Sequence, residues 1–151
     1  MPDSETAPLL HAVMTETLTI PQQLYDAMLQ QLLDAVPLEA CGLLAGVEGH
    51  VRRLYPIENR LHSPVAYEME PHQQLQAMLQ MEEAGLQLLA IYHSHPTGPQ
   101  TPSATDVDQS FYPGVAYIII SLARPFDPVA RAFQIDAASA RRYYEIALKI
   151  V

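Results

Sequence analysis

The sequence predicts an α/β sandwich, and three observations predict it. Short apolar runs of strand length recur along the chain, at residues 41–47, 88–91 and 115–121. Two longer segments, opened by Pro21 and Pro71, carry apolar residues at helical spacing. Strands and helices alternate, which is the pattern of helices layered on a sheet. The 151 residues suit one domain with a core that buries roughly 70% of the unfolded surface.

Residues 1–15 are polar and proline-containing, and are expected to be a flexible segment ahead of a single domain over 16–151. Residues 16–20 read as a short edge strand. Leu24, Met28, Leu32 and Leu33 then mark a helix that Pro37 ends. Cys41 to Val47 reads as a small apolar strand, Glu48-Gly49-His50 as a hairpin turn, and residues 51–58 as the returning strand. Residues 59–64 form a loop containing His62, and residues 65–69 a short strand. Pro71 opens the second helix, with Leu75, Met78, Leu79 and Met81 expected on its packed side and Gly85 at its end. Residues 115–121 are apolar on both parities and predict a central strand covered on both faces. Val129 to Ile135 alternates as another strand. In the tail, Tyr144, Ile146, Leu148 and Ile150 give a period-2 strand, with a helix from Ala138 as the competing reading.

Composition excludes several classes. Net charge is −9, from 8 basic and 17 acidic side chains, which argues against nucleic acid as a partner. No apolar run is long enough to span a bilayer, so no membrane is expected. Cys41 is the only cysteine, which rules out an internal disulfide and fits a reducing cytoplasm. Its apolar neighbours suggest packing rather than reactivity.

The chemistry concentrates in Ile91-Tyr92-His93-Ser94-His95-Pro96 and the loop running to Ser103 and Asp106. On an extended chain, His93 and His95 point to the same face, so two imidazoles converge where the strand ends. Pro96 stops the strand. Ser103-x-x-Asp106 has the form of a helix-opening capping box, but Asp106 can instead turn toward the imidazoles. Two neutral nitrogens and one carboxylate oxygen make a three-ligand zinc site with one open position, as in catalytic zinc. Glu39, at the margin of the apolar run from Cys41, is the best general base; its other reading is an exposed boundary acid. His11, His50 and His72 read as surface residues, and His62 lies in a loop that can border the cleft.

Together the pieces resemble the JAMM (MPN+) zinc metalloprotease family, whose pattern is a distant Glu followed by H-[ST]-H-P-x6-S-x-x-D. Glu39, His93, Ser94, His95, Pro96, Ser103 and Asp106 match every position, and Pro-Leu-Glu-Ala-Cys-Gly-Leu-Leu-Ala-Gly resembles the compact bacterial members. The resemblance implies a mixed sheet flanked by helices, related to the cytidine-deaminase-like fold. It implies His93, His95 and Asp106 as ligands of one Zn2+ per chain, Glu39 as general base and Ser103 as oxyanion donor. Ser94, facing away from the metal, is left a packing or hydrogen-bonding role. The implied substrate is a ubiquitin-like β-grasp or sulfur-carrier protein, cut after its C-terminal Gly-Gly. The leaving group is a cysteine, a lysine side chain or a peptide. The extended tail is expected to add to an exposed strand edge. Family members often pair, so a homodimer is left open. A non-catalytic MPN-type scaffold is the alternative function, although such chains usually lack part of the ligand set. A deaminase would need H-x-E and P-C-x-x-C, and neither is present.

Overall fold

A computed structural model describes residues 16–136 and 142–151. The expected flexible segment 1–15, His11 within it, and the start of the competing helix at Ala138 lie outside the described residues. Among the described residues, seven strands and three helices follow one another as β1 (Thr17–Ile20), α1 (Gln22–Ala35), β2 (Cys41–Val47), β3 (His50–Ile57), α2 (Pro71–Glu83), β4 (Gln87–His95), α3 (Ala104–Asp108), β5 (Ala116–Ser121), β6 (Val129–Asp136) and β7 (Arg142–Ile150).

Antiparallel and parallel pairings mix in one sheet, as the resemblance implied. β2 and β3 form a hairpin through Glu48 and Gly49, both at positive φ (51° and 79°). That is the backbone of a type I′ turn, whose twist matches the strands it joins. β4 runs antiparallel to β2 and parallel to β5, in the register His93↔Cys41 and His95↔Ser121. Every residue of β5 is buried, as a strand covered on both faces requires. Gly42 sits where a Cβ would collide with the Tyr92 ring and the Tyr55 carbonyl, so this glycine lets Tyr92 cross β2.

The sheet closes on itself. Its strands close in the order β1-β3-β2-β4-β5-β6-β7. β1 is therefore not an edge strand. It pairs with β7 over four residues and touches β3 through Thr19↔His50. Leu18 and Ile20 are fully buried, and closure satisfies the hydrogen-bonding groups on both sides of their strand.

Two apolar clusters lie on opposite faces. One joins Leu18, Leu44, Tyr92, Ile118 and Ile120 to Met28 and Leu32 of α1. The other joins Leu43, Ile57, Ile91 and Tyr117 to Ala77 and Met81 of α2. α2 opens as expected, with Pro71 in its first turn and the Glu70 side chain accepting from Gln73 N–H at 2.9 Å. Its packed face is corrected. Leu75 and Leu79 are 57% and 53% exposed, while Ala77 and Met81 are buried. At 100° per residue, Gln74, Ala77, Met78 and Met81 share the inner face and the two leucines turn outward.

Residues 65–69 form no strand either; only Met69 makes a bridge, to Asn59. The Asn59 side chain supplies the partners a neighbouring strand would have given: Nδ2 donates to Ala66 O at 3.1 Å, and Oδ1 accepts from Glu68 N–H at 3.1 Å. The tail is the period-2 strand β7, with Ile146 buried. Among the described residues, no helix is long and apolar enough to cross a membrane.

Candidate metal and catalytic site

His93 and His95 stand two apart at the carboxyl end of β4, both buried and on one face. Their Nε2 atoms are 3.1 Å apart. Asp106 reaches both, with Oδ1 3.2 Å from His93 Nε2 and Oδ2 3.2 Å from His95 Nε2. α3 delivers that carboxylate. Ser103 caps the helix, its Oγ accepting from Asp106 N–H at 3.0 Å, while Asp106 Oδ2 accepts from Ser103 N–H at 2.8 Å. The capping box and the turn toward the imidazoles are thus not alternatives, because one carboxylate does both.

The donor set fits a cation. His95 Nδ1 lies 2.8 Å from the Pro99 carbonyl, which can only accept, so Nδ1 carries the proton and Nε2 presents a lone pair. One ligand atom from each of the three residues lies within 4.8 Å of the other two. Three electron pairs aimed at a common point call for a shared positive charge, and two nitrogens with one oxygen suit zinc. His93 Nδ1 is buried with no hydrogen-bond partner among the described residues, and the Tyr67 ring stacks on His93 at a centroid distance of 4.4 Å. Burial pushes the His93 pKa down, partly offset by Asp106, which keeps this imidazole neutral as a ligand must be. At His95, burial also opposes charge, but Asp106 and the Pro99 carbonyl, which both accept from the imidazolium form, outweigh it and raise the pKa. Burial alone would raise the Asp106 carboxyl; the imidazoles and the Ser103 N–H outweigh it and hold the group well below the usual carboxylate range.

Glu39 precedes β2 and is only 6% exposed, so it is not a surface boundary acid. Its N–H donates to Ser63 O at 2.9 Å, and its carbonyl accepts from Asn59 Nδ2 at 2.9 Å. The next residue is clasped to β4: Ala40 N–H donates to Ser94 Oγ, and Ser94 N–H donates to Ala40 O, both at 3.0 Å. Ser94 therefore has the hydrogen-bonding role expected of it, and through Ala40 it fixes the backbone that carries Glu39. Burial pushes the Glu39 carboxyl up to about 7, with His95 pulling it back and Asp106 adding to the rise. A carboxyl poised there exchanges a proton readily near neutral pH. The hydroxyl proton of Ser103 has no acceptor among the described residues, so it can be donated while Oγ caps α3.

The remaining expectations sort cleanly. Burial pushes the Cys41 thiol up to about 12, and its Sγ donates to Ile57 O at 3.4 Å, so it is packed and unreactive. His62 is on the surface, 3.5 Å from the Glu58 carboxylate, and is not among the residues gathered with His93, His95 and Asp106. His50 and His72 are exposed. Sequence reasoning missed Asn59, Tyr67 and the Pro99 carbonyl. No spacing marks them, because each reaches the site through tertiary contact.

Residues 21–136 match the family described as prokaryotic homologues of the JAB domain. A CysO-cysteine peptidase of Mycobacterium tuberculosis is 35% identical over 129 residues, covering 84% of this chain and 88% of that protein. A desampylase of Pyrococcus furiosus is 39% identical over 92 residues, covering 61% of this chain and 65% of that relative's length. The solution structure of DSY2949 from Desulfitobacterium hafniense superposes with TM-score 0.79 at 36% identity, covering 89% of this chain and 92% of that one. A structure titled as a JAMM metalloprotease-like zinc site in the proteasome and signalosome shares the fold at TM-score 0.55 and 20% identity, covering 89% of this chain and 98% of that one.

Proposed function

This chain belongs to the family of prokaryotic homologues of the JAB domain, and from that premise we propose that it is a zinc-dependent (iso)peptidase. It cuts the bond after the C-terminal Gly-Gly of a small ubiquitin-like or sulfur-carrier protein. The relatives named as a CysO-cysteine peptidase and a desampylase support that substrate class. The observation that carries the reading is the convergence of His93, His95 and Asp106 beside a buried Glu39. An intact ligand set favours an enzyme over a scaffold.

In this reading His93, His95 and Asp106 hold one zinc ion per chain. Bound zinc supplies Lewis acidity, polarising the scissile carbonyl and making water nucleophilic near neutral pH. Glu39 accepts the proton of the attacking water and passes it to the leaving nitrogen. The Ser103 hydroxyl donates to the oxygen that gains charge as the carbonyl carbon becomes tetrahedral. Pro99 keeps His95 in the tautomer that leaves Nε2 free, and Asn59 holds the backbone of Glu39.

Closure of the sheet changes where the substrate tail docks. β4, which carries the histidines, is paired on both sides, whereas β3 pairs with β2 along its length and meets β1 through a single residue pair, so the outer side of β3 is the strand edge left for main-chain bonding. A cytoplasmic setting suits a buried free thiol. Self-association as a homodimer is read by analytical ultracentrifugation.

The test is zinc content by elemental analysis, paired with cleavage of a carrier-Gly-Gly fusion with and without chelator. About one zinc per chain and chelator-sensitive cleavage are expected. Absence of zinc after reconstitution would sink the reading in favour of a scaffold.

A further inference from the structure

The hydrolase reading leaves open how a folded carrier is told from its bare tail, and β3 bears on it. Among the described residues, the outer side of β3 is unpaired over residues 51–57, since β1 reaches it only at Thr19↔His50. Pro56 stands on that stretch, and proline suits an edge strand because it has one fewer N–H to pair. Ile57 is the end nearest the site, opposite Cys41 on β2, which is opposite His93 on β4. Arg53 and Arg52 lie toward the other end, Arg53 four residues and about 13 Å from Ile57. A tail bonded along β3 sends its Gly-Gly across about 10 Å of sheet to His93. Its earlier residues, and the folded body they leave, come to Arg52 and Arg53.

The backbone turns both arginines outward. Val51 and Leu54 pack on the same α1-side cluster although they are three residues apart, which a period of two does not allow. A bulge opposite Ala45 and Gly46 absorbs the odd residue, so Arg52 and Arg53 both face away from that cluster and are exposed. Their charge is not spent within the protein. Arg60, Arg124 and Arg131 pair with Glu68, Asp127 and Glu145, whereas Arg52 and Arg53 make no ion pair among the described residues. Lys149 extends the patch: it flanks Thr19 on one side as His50 flanks it on the other, and both are exposed. These cations stand unopposed on a chain of net charge −9. Charges that merely kept two copies from pairing at this edge could have either sign. Sign matters to a partner.

Resting on the hydrolase reading, we propose that Arg52 and Arg53 receive carboxylates on the folded body of the carrier, so that the chain selects a carrier with an acidic surface. Each guanidinium can fork to a carboxylate through two hydrogen bonds. The acidic remainder of the surface repels such a carrier, and the arginine end of β3 admits it with its tail already aligned to the edge. The attraction acts on capture and not on bond breaking, because it is made far from the reacting atoms.

An acidic carrier of ubiquitin-like fold, joined through its terminal glycine to a fluorescent amine, is compared with a short peptide that ends in the same Gly-Gly and amine. With zinc-loaded protein, Arg52→Glu/Arg53→Glu should lower kcat/KM for the carrier by ~10-fold or more, through KM, and for the peptide by no more than ~2-fold. Glutamate keeps a charge on the edge, so protection against self-pairing is retained. Raising NaCl from about 0.05 to about 0.5 M should remove most of the native protein's preference for the carrier and little of the variant's. A second arm measures binding of the labelled carrier to Glu39→Gln protein by anisotropy. Binding should weaken ~10-fold or more in Arg52→Glu/Arg53→Glu/Glu39→Gln, and a carrier with its surface carboxylates changed to lysines should reverse the order of the two proteins. A loss shared by carrier and peptide, or no loss for the carrier, overturns the proposal. If neither substrate is cut, the hydrolase reading fails and the binding arm decides for the surface: binding that follows the charges upholds it, and binding that ignores them, or none, overturns it.

Discussion

The two halves of the site are built differently. The ligand half, His93, His95, Ser103 and Asp106, comes from one strand end, one loop and one helix cap that adjoin in sequence. The base half, Glu39, Asn59 and Tyr67, is gathered from three segments that meet only in the folded sheet. Local geometry alone aims the imidazoles and the carboxylate, because strand period and capping fix their directions. Nothing local aims Glu39. Its place depends on Ser94 clasping Ala40 and on one asparagine side chain that bonds the backbone of Glu39, Ala66 and Glu68.

Breaking the ligand half should have the largest effect. Asp106→Ala is expected to abolish zinc retention and bring turnover to background, read by elemental analysis and cleavage assay. Losing the carboxylate also removes half of the capping box. Glu39→Gln tests the other half: zinc stays while turnover falls by ~10²–10⁴-fold. Retained turnover in that variant would refute the base assignment.

Ser103 belongs to the ligand half but serves both structure and chemistry, so it sharpens the comparison. Ser103→Ala should lower kcat by ~10²–10³-fold and cost about 1 kcal/mol of stability through the lost cap. Ser103→Asn restores the cap, so thermal stability should return while kcat stays low. A kcat that returns with stability would leave the serine a purely structural role.

Asn59→Ala should act on the base half alone. It leaves the buried carbonyl of Glu39 without its donor and is expected to destabilise the fold by ~1–3 kcal/mol with zinc content unchanged. Zinc lost in proportion to activity would show that the halves are not separable.

The smallest expected effect is a pH slope in zinc-free protein. Burial raises the Glu39 carboxyl from its ordinary 4.5 to about 7, because the folded state disfavours the charge. The stability this group contributes is therefore full below about 4.5 and is lost as pH rises through about 7. Denaturation midpoints of zinc-free protein at pH 5 and pH 8, compared between the native sequence and Glu39→Gln, isolate that slope from the histidines. The substitution should flatten it.

The same division decides what was legible in the sequence. The ligand half could be read because its signal is periodicity, Pro96 and a capping pattern, all short-range. Most strands and both long helices could be read for the same reason. Asn59 and Tyr67 could not, since an asparagine in a loop and a tyrosine between prolines carry no directional information. β1 looked like an edge because closure depends on β7, at the other end of the chain. The packed face of α2 was misplaced because hydrophobicity outranked geometry: Leu75 and Leu79 are apolar, yet Ala77 and Gln74 hold the inner angle.

The joint between β1 and β3 has a consequence for motion. A ring of strands opens where its hydrogen bonds are fewest, and there a single residue pair and one bond from Thr19 N–H to Gly49 O hold the seam. Counted from β1, β4 lies three strands away by one path and four by the other. Amides of β1 should exchange with solvent well before those of β4 and β5. The protein can breathe at that seam while His93, His95 and Glu39 keep their relative positions, because β4 and the residues leading into β2 are clasped to each other through Ala40 and Ser94, away from the seam.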